Sequence, residues 1–213
     1  MKKILLFMLF LLTIVSCGNT KQGIPSKKNN QSVAIVDSGV NTSNIDEYLF
    51  RDDVIYVDLR PYSWVAKDGH IAGFSFYPFY DLIAHRNYTD RLFMMDTVYS
   101  EDGNKIIGGE VGTFIPNFVE SEIVINNIFP KDKYIFAISQ SGLESCYFLN
   151  LLIQLGYDSS KLYNIGGFSI STGFENLAYI SIENPKYLVK GNPILTDVPN
   201  VTFNFKDSLT PIN

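Results

Sequence analysis

The sequence predicts an α/β three-layer sandwich, a mostly parallel five-stranded sheet with helices on both faces. Three observations carry this. Short β-branched and aromatic runs alternate with longer amphipathic stretches, the order expected of strands joined by crossover helices. Val54-Ile55-Tyr56-Val57 has no polar position, as suits a strand covered on both sides. Hydrophobic residues make up 46% of the chain and charged residues 18%, enough apolar material for a real core in one domain.

Met1 to Ser16 reads as a secretory leader. Lys2 and Lys3 precede the apolar run Ile4 to Val15, and about a dozen residues fall short of the roughly 20 that a spanning helix needs. Residues 17–32 are rich in Gly, Asn, Ser, Lys and Gln. With only Ile24 as a large apolar side chain, they predict a flexible tether.

Strand candidates then follow at Val33–Val36, Val54–Val57, Phe74–Tyr77, Lys133–Ile138 and Leu162–Ile165. Ser43-Asn44-Ile45-Asp46 has the form of a helix start and leads into Glu47–Phe50. Asn117 to Phe129 places apolar residues at helical spacing. Leu143 to Leu155 is apolar nearly all round and stops at Gly156, and a last helix is expected from Gly167 through Ala178. Residues 85–115, with the run Asp102 to Gly109, interrupt the alternation as an inserted loop or hairpin. Residues 181–213, rich in proline, read as an extended wrap against the domain or a loose end.

The formal charge of −5 disfavours nucleic acid, because an acidic surface repels phosphate backbones. Only two cysteines occur. Ile14-Val15-Ser16-Cys17 resembles the lipobox of bacterial lipoproteins. That resemblance implies cleavage before Cys17, its acylation, and a cell-envelope location on the outer side of the cytoplasmic membrane or in an outer membrane. Several acyl chains would hold firmly where one is marginal. Membrane lipid is thus an expected partner, and Cys146 is left without an internal disulfide.

Residues 33–180 resemble the rhodanese-like domain. Val54 to Pro61 is similar to that family's strand ending in Asp-x-Arg, here Asp58 and Arg60. Gly69-His70-Ile71-Ala72-Gly73 matches its Gly-His-Ile-x-Gly turn. Tyr134 to Ser145 looks like its active-site strand and loop, and Gly166-Gly167-Phe168 like its later Gly-Gly turn. The resemblance implies a loop that opens on a nucleophilic cysteine. Here Ser139 stands there, followed by Gln140, Ser141, Gly142, Leu143, Glu144 and Ser145. A serine hydroxyl carries no persulfide and is a poor nucleophile without a base. The family's loop arginines are replaced by neutral Gln140 and acidic Glu144, which repels an anionic sulfur donor. No sulfurtransferase activity, no catalytic residue and no cofactor are therefore expected. The loop's backbone N–H groups are still expected to form an anion-friendly nest.

Several plainer readings stand beside these. Asp58 and Arg60 are expected as a structural pair, His70 as a turn residue, and Cys146, beside Tyr147 and Phe148, as a small packed side chain. His70, His85 and one free cysteine make no zinc set. Asp96, Glu101, Asp102 and Glu110 lack the spacing of a calcium loop and read as a solvated acidic hairpin. The leading expectation is a non-catalytic module for a protein or small anion. The alternatives are a sulfurtransferase using Cys146, a hydrolase using Ser139 with a histidine, and a structural surface protein. No Gly-x-Ser-x-Gly elbow surrounds Ser139.

Overall fold

A computed structural model of the chain describes residues 22–84, 88–99, 106–168, 186–190, 205 and 208–212. The expected leader, Cys17, His85, Glu101, Asp102 and the helix expected through Ala178 lie outside these residues. The elements in chain order are β1 (Val54–Asp58), α1 (Tyr62–Asp68), β2 (His70–Ile71), β3 (Ser75–Phe76), α2 (Phe79–Leu82), β4 (Ile83–Ala84), β5 (Phe93–Tyr99), β6 (Ile106–Pro116), α3 (Ser121–Ile128), β7 (Tyr134–Ser139), α4 (Leu143–Gln154), β8 (Leu162–Gly167) and β9 (Leu188–Val189).

Four strands form the central sheet in the order β3-β1-β7-β8, all parallel. The fold is thus α/β with a parallel core sheet, one strand smaller among the described residues than the five expected. The missing strand is the run Val33–Val36. Ile35–Asp37 is instead a single 3-10 turn beside β8. The amides of Asp37 and Ser38 bond back to the carbonyls of Ala34 and Ile35, and Lys28 donates to the Asp37 carbonyl, so the backbone serves itself rather than a ladder. Thr42 reaches the sheet edge by donating its amide to the Ile165 carbonyl at 3.1 Å. The helix expected from Ser43 is likewise only a 3-10 turn, Ile45–Glu47, with no side-chain cap. Ser43 spends its hydroxyl on Asn41 Oδ1 instead.

Side chains alternate across β7 with the period of two that a strand dictates. Ile135 and Ala137 join one apolar cluster, whereas Phe136 and Ile138 join the other. The first cluster is closed by Ile125 of α3 and by Phe148, Leu149, Leu151 and Leu152 of α4, none of them exposed. The second is closed by an irregular covering, Val40, Ile45, Tyr48 and Leu49, with Ile71 and Phe74.

The tether expectation meets a different outcome from Gln22 onward. Ile24 packs on the second cluster. Tyr163 donates its hydroxyl to the Pro25 carbonyl at 2.8 Å. Lys27, only 7% exposed, donates to the Ser159 carbonyl at 2.8 Å, and burial lowers its pKa against the opposing pull of Asp37 and Asp158. Polar side chains hold this strap down, which apolar content alone does not register.

The insertion contains a hairpin. β5 and β6 pair antiparallel with two register irregularities, and β4 adds in parallel to β5. Of the tail, β9 pairs antiparallel with β2, Phe205 is buried, and Pro211 bridges to Phe118, so the described pieces lie against the domain. Among the described residues, no helix is long and apolar enough to cross a membrane.

Candidate functional site

β1, β7 and β8 end together at the carboxyl edge of the sheet, where parallel α/β folds place their sites. Asp58 is in register with Ile138, and Ser139 with Gly167. Ser139, 1% exposed, is the last residue of β7. The chain then turns through Gln140, Ser141 and Gly142 into α4. Gly142 adopts φ 83°, a left-handed conformation suited to glycine, and a Cβ there would also strike Ile35 Cδ1. Gly167 has a related role, since a Cβ on it would sit 2.9 Å from the Gln140 carbonyl oxygen. The loop and the Gly166-Gly167 turn therefore touch backbone to backbone.

The Ser139 hydroxyl oxygen sits inside the turn it begins. It accepts the amide of Gly142 at 2.9 Å and that of Ser145 at 3.4 Å. Ser141 Oγ accepts the Leu143 amide at 3.4 Å. The amides expected to form an open nest are thus engaged in part by the loop's own serines. Ser145 Oγ is buried with no hydrogen-bond partner, and so is Oε2 of half-buried Glu144. Leu143 is exposed. Asn164 ties the loop to the strap, donating from Nδ2 to the Gly142 carbonyl at 2.9 Å and to the Val33 carbonyl at 3.2 Å.

Asp58 and Arg60 form a fully buried ion pair, with Arg60 Nη2 2.6 Å from Asp58 Oδ2 and Nε 3.0 Å from Oδ1. Arg60 Nη2 also donates to the Gly69 carbonyl at 2.8 Å. The Phe168 ring lies over the guanidinium, 3.4 Å from its carbon, and the Phe168 amide donates to the Ser139 carbonyl at 2.9 Å. One buried donor, Arg60 Nη1, has no hydrogen-bond partner. The pair and the loop are therefore linked through Phe168. His70 is half-buried on β2, its ring edge-on to Phe76 at 4.9 Å. Burial pushes its pKa down, and Arg60 adds to this while Asp58 opposes it. Among the described residues, no histidine bonds to Ser139.

Cys146 is half-buried in the first turn of α4, packed against the first apolar cluster. Burial pushes its thiol pKa up, against a weaker opposing contact from Asn150 Nδ2 at 3.7 Å. A raised pKa leaves little thiolate. Asp96 is half-buried on β5. The side chain of Glu110 is not among those described. Among the described residues, no group of three His, Cys, Asp or Glu is placed to hold a metal ion.

Ile35, Asn164 and Phe168 escape sequence reasoning as parts of this site. Each acts through a contact between segments remote in sequence, and no periodicity marks that. Comparison with protein-family models, curated proteins and solved structures yields no match.

Proposed function

We propose that this chain is a lipid-anchored envelope protein whose rhodanese-like domain no longer transfers sulfur and instead binds a partner protein or a small anion. The observation that carries the reading is the Ser139 hydroxyl, seated at the end of β7 and accepting the Gly142 and Ser145 amides. In the rhodanese-like family a thiolate would occupy that position. A hydroxyl there satisfies the same amides but accepts no sulfane sulfur. Two buried donors without partners, Arg60 Nη1 and Ser145 Oγ, are the groups that support a small-anion role. Anchorage rests on the Ile14–Cys17 lipobox, with membrane lipid as the first partner. The Cys146 route is disfavoured by burial of the thiol and its raised pKa.

The test is thiosulfate-to-cyanide sulfur transfer by the parent chain, Ser139→Cys and Cys146→Ala, beside calorimetric titration of thiosulfate and sulfate. An inactive parent with measurable Ser139→Cys turnover supports a site that has lost only its nucleophile. Parent activity that vanishes in Cys146→Ala would overturn the proposal and make Cys146 the sulfur carrier. Absence of anion binding, and of any crosslinked partner in intact membranes, would remove the binding role.

A further inference from the structure

The strap begins a few residues after Cys17, and with Cys17 acylated this constrains how the domain meets the bilayer. The Gln22 carbonyl accepts Arg51 Nη1 at 2.6 Å, and Gln22 Nε2 donates to the Tyr48 hydroxyl at 3.1 Å. Two residues on, Ile24 packs into the cluster that Tyr187 and Leu188 also join. The chain is therefore fastened to the domain at Gln22. Only Gly18 to Lys21 separate that point from Cys17. However they are arranged, the Cα of Gln22 lies within about 18 Å of that of Cys17. That reach is close to the ~16 Å radius of gyration expected of a chain this size. A leash so short lets only the surface around its exit touch lipid.

That surface has the makings of a lipid contact. Phe50 is beside Arg51 and is 53% exposed. Among the described residues it is the one non-glycine with positive φ, 57°, a left-handed conformation that is costly for a bulky side chain. Its ring stands edge-on to Tyr187, with centroids 5.4 Å apart, and its inner edge rests near Gly73. Val189 is 40% exposed, and Lys186 and Lys190 flank it, both exposed. Glu47, Asp52 and Asp53 are exposed nearby as well, so the charges are mixed and anionic lipid is not required. An aromatic ring flanked by long basic side chains suits the headgroup boundary, where the ring enters and the ammonium groups stay wet. A tether this short also makes the encounter intramolecular, so a weak apolar contact suffices.

We propose that the face formed by Phe50, Tyr187 and Val189 with Lys186 and Lys190 is held against the lipid surface by the short link to Cys17. This rests on the lipid-anchor reading. The other face of the sheet, where α3 presents exposed Ile123, would then look into the aqueous space.

The test uses the full acylated chain in phosphatidylcholine vesicles whose acyl tails carry bromine. Phe50→Trp in a Trp64→Phe background is compared with Ile123→Trp in the same background. The indole at position 50 is expected to shift to the blue and lose roughly half its emission, and the one at 123 neither. Val189→Trp repeats the reading should position 50 not tolerate an indole. Inserting a Gly-Ser spacer of about ten residues after Lys21 is expected to weaken the quenching several-fold. Equal quenching at 50, 189 and 123 in acylated protein would overturn the proposal and leave the anchor standing. Quenching undiminished by the spacer would overturn the role of the leash. A mass spectrum with no acyl group on Cys17 would sink the anchor reading, and this proposal with it.

Discussion

The two faces of the central sheet are covered in opposite ways. On one, α3 and α4 lay regular helices over the strands, and ring contacts such as Phe129 on Phe148, 5.1 Å apart, fill the gap. On the other, an irregular strap lies over Tyr56, Phe136 and Tyr163 and is held by hydroxyl tips. Tyr56 donates to the Tyr48 carbonyl at 2.5 Å and accepts the Arg51 amide at 3.0 Å. Burial stabilises both faces. The helical face rests chiefly on regular helices and apolar area, with a few remote bonds such as Gln154 to the Phe114 backbone and Tyr157 to the Phe129 carbonyl, whereas the irregular strap is tied on mainly by such bonds.

The largest expected effect sits on the helical face. Phe148→Ala should cost about 3–5 kcal/mol, read from the urea midpoint, because the site is closed on all sides. A smaller loss would mean that α4 collapses into the gap and the face is less rigid than drawn. At the edge between the faces, Asp58→Leu should cost about as much, since it strands the Arg60 guanidinium in the interior. The Asp58→Leu, Arg60→Met pair should recover most of that loss. Failure to recover would show that the ion pair itself contributes net stability.

Alkaline titration probes the strap face next. Burial pushes Tyr56 and Tyr163 up to about 12. An unfolded tyrosine ionises near pH 10, so between roughly pH 10 and 12 the unfolded chain releases protons that the folded chain keeps. Stability is therefore intact below about pH 10 and falls above it. Tyr157, also raised by burial, adds to this slope from the helical side. Tyr56→Phe with Tyr163→Phe should flatten the decline measured by urea unfolding at rising pH. An unaltered slope would place the alkaline sensitivity with Tyr157 instead.

At neutral pH, Tyr163→Phe alone should cost about 1 kcal/mol, the worth of its bond to the Pro25 carbonyl. A cost near that of Phe148→Ala would erase the distinction between the faces. The smallest effect is expected for Glu122→Gln, whose partner Lys131 stands 3.6 Å away at the surface, with a change within about 0.5 kcal/mol.

The same contrast explains what could be read from sequence. β1 and β7 are legible because both faces of each strand are apolar, and α4 because its apolar run ends at Gly156. The strap is not legible. Its hold lies in Lys27 and Tyr163, whose polar tips reach carbonyls far along the chain, and in Tyr48, whose hydroxyl accepts Gln22 Nε2, and composition reads those residues as solvent-facing. Val33–Val36 misleads because local apolar content favours a strand, while the bonds back to Ala34 and Ile35 turn the chain before it can pair. At the loop, Ser139 ends the strand that the apolar run Lys133–Ile138 announces. The ring of Phe168 over Arg60 and the packing of Ile35 on Gly142 have no such signal, since each depends on how separate segments meet.

The parallel order β3-β1-β7-β8 has a consequence in time. β1 is central, yet its neighbour β7 follows only after the whole hairpin insertion, and the strap waits further still for Ser159 and Tyr163. Contacts so distant along the chain close late and make folding slow. During synthesis the first two-thirds of the domain has no complete sheet to settle into, because β7 and β8 have not yet been made. The strap, which fastens Lys27 to Ser159 and Pro25 to Tyr163, then locks late, once β8 has been made.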